Sequence, residues 1–385
     1  MGGLQTRSAR RSRRRWGAWH SEAVRLLAVA GVAALVAACG GAEPERPGRA
    51  TVVASTTAPS SPSGVPDLGA GEDVVREVDV PWGLAFLPDG GALVAERDSG
   101  AILRVRPGAA AERVYQVPGV AAIGEGGLLG VAVSPRYAED GYVYAYFTGV
   151  DDNRIVRFRL DGQPEVVFSG IAAASIHNGG RIAFGPDGLL YVGTGDASTR
   201  GASQDSNSPN GKILRLTPEG RPAPGNPTPG SPVYSLGHRN VQGLAWDSAG
   251  RLFAAEFGQN EFDEINLIEP GRNYGWPEVE GTGDTWGGRF TNPLVTWDPT
   301  DASPSGIAIA GNTLYAAALR GERLWTVPLR DGALGEPVAR LENGLGRLRT
   351  VVVAPDGALW VTTSNTDGRG DPRDGDDRII RFPAR

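Results

Sequence analysis

The sequence predicts an all-β protein, a six-bladed β-propeller with four-stranded antiparallel blades, and three observations carry that prediction. A unit of apolar strand, tight turn and second apolar strand recurs six times, at spacings of about 45 to 65 residues, the length of a four-stranded blade with its loops. Turn formers are abundant, with 56 Gly and 29 Pro in 385 residues. Apolar residues at helical spacing are hard to find beyond the N-terminus, which leaves little material for helices.

Taken in order, basic residues 1–15 precede the apolar run LLAVAGVAALVAA, Leu26 to Ala38. The run is short for a membrane-spanning helix and right for the apolar part of a signal peptide, assigned here to residues 1–38. It ends in Val36-Ala37-Ala38-Cys39-Gly40, which resembles the lipobox of bacterial lipoproteins. Cys39 is therefore expected to carry lipid as the first mature residue and to hold the chain at the outer face of the cell membrane (cell surface or periplasm). Membrane contact would be through that lipid anchor only. Residues 39–71 are rich in Pro, Ser, Thr, Ala and Gly and read as a disordered tether.

Cys39 is the sole cysteine, so disulfides and thiol chemistry are excluded from the propeller. Charge divides sharply along the chain. Seven arginines and one glutamate give the segment before Cys39 a charge of +6, so a whole-chain charge of −6 leaves −12 for the rest. An acidic mature protein argues against nucleic acid as a partner, and a basic cluster within it should bind a small anion.

The propeller is assigned to residues 72–385. Its six repeats are AFLPDGGALVAER (85–97), AVSPRYAEDGYVYAYF (132–147), AFGPDGLLYVGTGD (183–196), AWDSAGRLFAAEFG (245–258), AIAGNTLYAAAL (308–319) and VAPDGALWVTTS (353–364). A third strand follows each, and Val74 to Val78 is expected to close the ring as an outer strand beside the last blade. Pro-Asp-Gly turns are given a structural role, because Pro presets φ and Gly supplies the unusual one.

In a propeller the loops entering the inner strands converge on one mouth of the central channel. The polar residues at that place are Glu125 in GEGGLLG, His177 in HNGGRIAFG, Arg239 and Asn240 in GHRNVQGLAW, Arg320 in ALRGERL, and Arg347 with Arg349 in GRLRTVVV. His177 and His238 are the only histidines after Cys39. His177, in a Gly-rich loop with Asp196 one hairpin later, is placed to act as a general base oriented by a carboxylate. Four arginines at one mouth fit a polycarboxylate ligand, which Arg forks bind bidentately. After the hairpin that follows Asn240, Glu261, Asp263 and Glu264 offer the hard oxygen donors that calcium prefers. The loop at 366–378, TDGRGDPRDGDDR, reads as solvated in preference to another calcium site.

GEGGLLG, HNGGRIAFGPDGLLYVGTGD, LGHRNVQGLAW, DEINLI and NYGWP, in that order, resemble the soluble quinoprotein sugar dehydrogenases, a family of glucose and aldose dehydrogenases. The likeness covers about residues 74–382. It implies a propeller that holds pyrroloquinoline quinone (PQQ) and Ca2+ and oxidises an aldose sugar at C1 to the lactone, with electrons passed to an unidentified acceptor. By that resemblance, His177 is the base that takes the C1 hydroxyl proton while hydride passes to the quinone. Asp196 orients it, and Arg239 polarises the reacting carbonyl beside Asn240. Glu125, Arg320, Arg347 and Arg349 belong with the cofactor. Carbonyls of Gly258 and Gln259 hold its calcium, and Asp263, Glu264 and the Tyr274 carbonyl match a second, structural calcium site. Two positions depart from the glucose-oxidising relatives, Glu125 where they have Gln and Arg320 where they have Lys.

Two other classes fit a propeller of this kind. One is a non-catalytic ligand- or carbohydrate-binding propeller on the cell surface, against which the presence of His177, Asp196 and Arg239 argues. The other is a calcium-dependent hydrolase of the lactonase type, which needs a metal held in the channel by carboxylates and Asn, whereas this channel is mainly cationic.

Overall fold

The computed structural model describes residues 64–385. The signal peptide over 1–38, Cys39 and the tether as far as residue 63 lie outside the described residues. Six antiparallel sheets follow one another along the chain. Blade 1 is Pro81–Phe86, Ala92–Glu96, Ala101–Val105 and Glu112–Gln116; blade 2 is Leu128–Val133, Val143–Thr148, Asn153–Phe158 and Glu165–Ile171. Blade 3 is Ile182–Phe184, Leu190–Gly193, Lys212–Leu216 and Val233–Leu236; blade 4 is Val241–Trp246, Leu252–Glu256, Asp263–Ile268 and Val295–Trp297. In blade 5, Pro304–Ala310, Thr313–Ala318 and Arg323–Arg330 are followed by an outer edge split between Ala333–Leu334 and Val338–Arg340. Blade 6 is Leu348–Val353, Leu359–Thr363 and Ile379–Phe382, completed by the first strand of the chain, Glu72–Val75.

Each sequence repeat supplies the first two strands of a blade and the turn between them. In the first of these turns Gly90 adopts φ 81°, and the Asp89 carboxylate accepts the Gly91 N–H at 2.9 Å. The turn is structural, as its Pro-Asp-Gly composition predicts. The closing strand pairs Glu72 with Arg381 and Asp73 with Ile380, two residues earlier than the expected Val74 to Val78. Ordered pairing begins earlier still. Asp67 donates its N–H to the Pro383 carbonyl at 2.7 Å, and its carboxylate meets Arg385 at 2.6 Å. Residues 64–71, placed in the tether by composition, thus run beside the last blade. Main-chain pairing leaves no side-chain pattern to read.

Apolar packing is distributed as six clusters, one at each interface between neighbouring blades. Each sheet is covered on its two faces by its two neighbours, so a blade taken alone would leave both apolar faces in water. Inner strands stand side by side, and Leu348–Val353 packs against Pro81–Phe86 to close the circle. The cluster at that seam joins Val74 and Val78 to Leu84, Val94, Leu103 and Trp360. Trp360 is 2% exposed and meets Phe86 edge to face at 5.1 Å between ring centres. Trp360→Ala should therefore destabilise the propeller by about 3–5 kcal/mol in denaturant unfolding. A loss below about 1 kcal/mol would mean that the seam is not a packed interface.

Candidate active site

The loops that enter the inner strands meet around a cavity of about 400 Å3, a size suited to a small-molecule ligand. Its wall is strongly charged. Arg97, Arg320, Arg347, Arg349 and Arg369 line it against only two carboxylates, Glu125 and Asp367, with Trp82, Gln242 and Phe257 between them.

Asp367 is shared by two arginines, accepting from Arg347 Nη2 at 3.0 Å and Arg349 Nη2 at 3.1 Å. Burial pulls the Arg349 pKa down to about 10, Asp367 opposing the shift. Below Arg349 the Trp82 ring lies between two guanidinium groups, 5.8 Å from Arg349 and 4.4 Å from Arg181. Arg181 donates to the Gln242 carbonyl and the Thr350 hydroxyl and forms no ion pair among the described residues. Burial lowers its pKa to about 9, with Arg349 adding repulsion. Positive charge is thus held in excess where desolvation penalises it.

His177 and Asp196 adjoin this cavity through Glu125. The His177 Nδ1 lies 2.8 Å from Asp196 Oδ1, so Nδ1–H donates and Nε2 keeps its lone pair. The Asp196 side chain is fully buried and also accepts the Trp276 indole N–H at 2.9 Å and the Ser198 N–H at 2.8 Å. Burial raises its pKa, but the His177 and Trp276 donors outweigh that and hold the carboxyl below its ordinary value. His177 itself sits at φ 60°, a conformation that costs a non-glycine residue about 1–3 kcal/mol. Glu125 Oε2 accepts its N–H at 3.0 Å and Ala197 donates to its carbonyl. Gly195 makes room, since a β-carbon there would lie 1.9 Å from that carbonyl.

Arg239 lies in the next loop. Its Nη1 donates to the Phe257 carbonyl at 3.0 Å, its guanidinium lies 5.4 Å from the Trp276 ring, and it has no ion pair among the described residues. Its Nε and the Nδ2 of Asn240 are buried with no hydrogen-bond partner. Two orphaned donors side by side in sequence fit an acceptor-rich ligand, because buried donors are otherwise satisfied. His238 has no such freedom. It is fully buried, with Nε2 2.8 Å from Ser235 and Nδ1 2.7 Å from Glu256, and serves to brace the loop.

The carbonyls of Gly258 and Gln259 accept no hydrogen bond among the described residues. Asp263 and Glu264 are strand neighbours, so their side chains point to opposite faces. Asp263 accepts from the Gly258 N–H at 2.9 Å and the Ser303 N–H at 2.5 Å, and burial raises its pKa to about 6. Glu264 instead lines a small cavity of about 10 Å3 with Glu256, Tyr274 and Glu280, room for about one ion or water. Burial and then Glu256 push its pKa up to about 8. Among the described residues no three His, Cys, Asp or Glu side chains form a metal-holding group. Of the three residues expected to share a structural calcium site, Glu264 and Tyr274 line this small cavity and Asp263 does not.

Glu125, Arg320, Arg347 and Arg349 line the cavity, with His177, Asp196, Arg239 and Asn240 at its side. Glu125 is compensated, its Oε1 lying 2.7 Å from Arg369. The loop at 366–378 departs from the solvated loop expected of its composition. Far from being merely solvated, it buries Asp367, Asp376 and Asp377 and supplies Arg369 to the cavity. Trp82 and Arg97 were given no role by the sequence, since a Trp in a first strand or an Arg at the end of a second has no signal apart from its place in the blade, and Trp276 was marked only as part of NYGWP.

Trp276→Phe should cost about 1.5–3 kcal/mol in denaturant unfolding, the worth of a hydrogen bond to a charged group. The sign with pH follows from the depressed pKa of Asp196. Its stabilising contribution is present above the unfolded value of about 3.9 and lost as pH falls through the lower folded value. Removing the indole donor moves that loss to higher pH. Identical acid-unfolding profiles would show that the indole does not hold Asp196.

The family described as Glucose / Sorbosone dehydrogenase matches residues 78–379. Among solved structures, the PQQ-bound form of the aldose sugar dehydrogenase of Streptomyces coelicolor is 54% identical. It covers 83% of this chain and 100% of its own, with a TM-score of 0.79. The aldose sugar dehydrogenase YliI of Escherichia coli K12 is 28% identical over 344 residues, 76% of this chain and 89% of that protein. Quinoprotein glucose dehydrogenase B of Acinetobacter calcoaceticus is 31% identical over 280 residues, 62% of this chain and 59% of that protein. With 302 consecutive residues inside the family match, and the propeller and its charged cavity in place, this chain belongs to the glucose/sorbosone dehydrogenase family.

Proposed function

We propose that this protein is a PQQ- and calcium-dependent dehydrogenase that oxidises aldose sugars at C1 to the lactone. The observation that carries the proposal is the His177–Asp196 pair, 2.8 Å apart, beside a cavity whose arginines outnumber its carboxylates five to two. Bound PQQ would supply the two-electron acceptor for the C1 hydride, with calcium adding positive charge beside it.

The chain's own residues supply binding and proton transfer. Arg320, Arg347 and Arg349 would hold the cofactor's carboxylates, and their surplus charge is what such a ligand neutralises. Arg239 and Asn240 would donate to its carbonyl oxygens through the donors that the protein leaves unpaired. Asp196 holds the His177 tautomer, so Nε2 can accept the C1 hydroxyl proton, and the buried carboxylate stabilises the imidazolium that results. Glu125 keeps its charge engaged with Arg369 and the His177 backbone, so the Glu in place of Gln adds little repulsion. Gly258 and Gln259 would hold the calcium through their free carbonyls. Export with lipid anchoring at Cys39 belongs to the same proposal and is supported by the Leu26 to Cys39 sequence.

The test is dye reduction by the full chain, reconstituted with calcium and PQQ, across a panel of aldoses. His177→Ala should lower kcat by about 10²–10⁴-fold, the usual worth of a positioned base. Asp196→Asn should lower kcat with KM little changed, since it acts on the base and not on the sugar. Undiminished turnover in His177→Ala would remove His177 from the chemistry, and no cofactor-dependent reduction of any aldose would overturn the assignment.

A further inference from the structure

One carboxylate oxygen behind the Gly258 loop gathers four consecutive backbone donors. Glu280 Oε1 accepts the N–H groups of Gln259 at 2.5 Å, Asn260 at 2.9 Å, Glu261 at 2.9 Å and Phe262 at 3.2 Å. Successive N–H groups turned onto one anion form a nest, and a charged acceptor makes each bond stronger than a neutral one would. The loop is clamped at both flanks as well. Arg239 holds the Phe257 carbonyl, and Asp263 holds the Gly258 N–H. Only glycine fits at 258, since a β-carbon there would lie 1.8 Å from the Phe262 carbonyl oxygen and 2.7 Å from Glu280 Oε1.

Peptide geometry turns this nest into a statement about carbonyls. The peptide bonds of the loop are trans, and in a trans unit each C=O points opposite to the N–H of the next residue. Because the N–H groups of Gln259 and Asn260 face Glu280, the carbonyls of Gly258 and Gln259 face away from it. The loop therefore presents these carbonyls on the side opposite the carboxylate. We infer that Glu280 is a positioning residue that turns the Gly258 and Gln259 carbonyls outward as a ready pair of calcium ligands. Its negative charge, one peptide layer behind the ion, adds attraction without coordination. This rests on the reading that calcium sits with the cofactor at this loop. Glu280 follows NYGWP by three residues, yet it acts on a loop some twenty residues upstream.

The test compares the full chain with Glu280→Gln, which keeps the shape of the side chain and removes its charge. In calcium-free protein, the amides of 259–262 should be protected from hydrogen exchange in the wild type and exchange faster in the variant. Calcium, titrated with PQQ present, should bind the variant about tenfold more weakly, the factor that corresponds to 1.4 kcal/mol. The calcium-free unfolding temperature should change little, which separates positioning from a general loss of stability. Equal exchange and equal calcium affinity in the two proteins would overturn the role of Glu280 while leaving the calcium reading intact. Unprotected loop amides in the wild type would overturn it as well. A wild type that binds no calcium with PQQ present would overturn both.

Discussion

Excess positive charge inside a walled cavity is the constraint on which the site depends. Buried Arg181, just below the cavity, and half-buried Arg239, at its side, have no ion-pair partner among the described residues, and Arg347 and Arg349 in its wall divide one carboxylate. Isolated buried guanidinium groups are destabilising, so they persist only in a frame that cannot relax away from them. The closed ring is such a frame. Six interfaces, each packed between neighbouring sheets, hold the inner strands at fixed distances, and the entry loops inherit that spacing. The charge then becomes binding energy for an anion that brings its own carboxylates.

Within that field the proton-handling group is made separately rigid. His177 is held in a left-handed backbone conformation by Glu125 on one side and by the Asp196 turn on the other. Asp196 is fixed in turn by Trp276, whose ring also lies against Arg239. A single indole therefore connects the base, its orienting carboxylate and the cationic side chain proposed to face the cofactor. Strain at His177 and the orphaned donors at Arg239 and Asn240 fall within one small region. Local cost concentrated in this way is what a preorganised site looks like.

Much of this was legible in the sequence because a propeller converts equal positions in a repeat into spatial neighbours. Once the repeats were aligned, His177, Arg239 and Arg347 could be placed at one mouth without any structure. Side chains that reach the same cavity from other parts of a blade had no such marker. Arg97 comes from the end of a second strand, and Arg369 from a loop whose aspartates read as solvated although three of them are buried. Asp263 and Glu264 show the opposite failure. Adjacent acids looked like one ligand set, but strand alternation sends them to opposite faces, one to brace a loop and the other into a separate small cavity. Residues 64–71 were missed as ordered structure because their pairing with the C-terminus is carried by the main chain.

The central claim is that the cavity is built for an anionic quinone cofactor beside a cation. Calorimetric titration of the metal-free full chain with PQQ, with and without calcium and at two salt concentrations, tests it most directly. The account predicts one PQQ per chain, bound more tightly with calcium, and an affinity that falls as salt screens the arginines. Failure of PQQ to bind with calcium present, or binding indifferent to both calcium and salt, would contradict it.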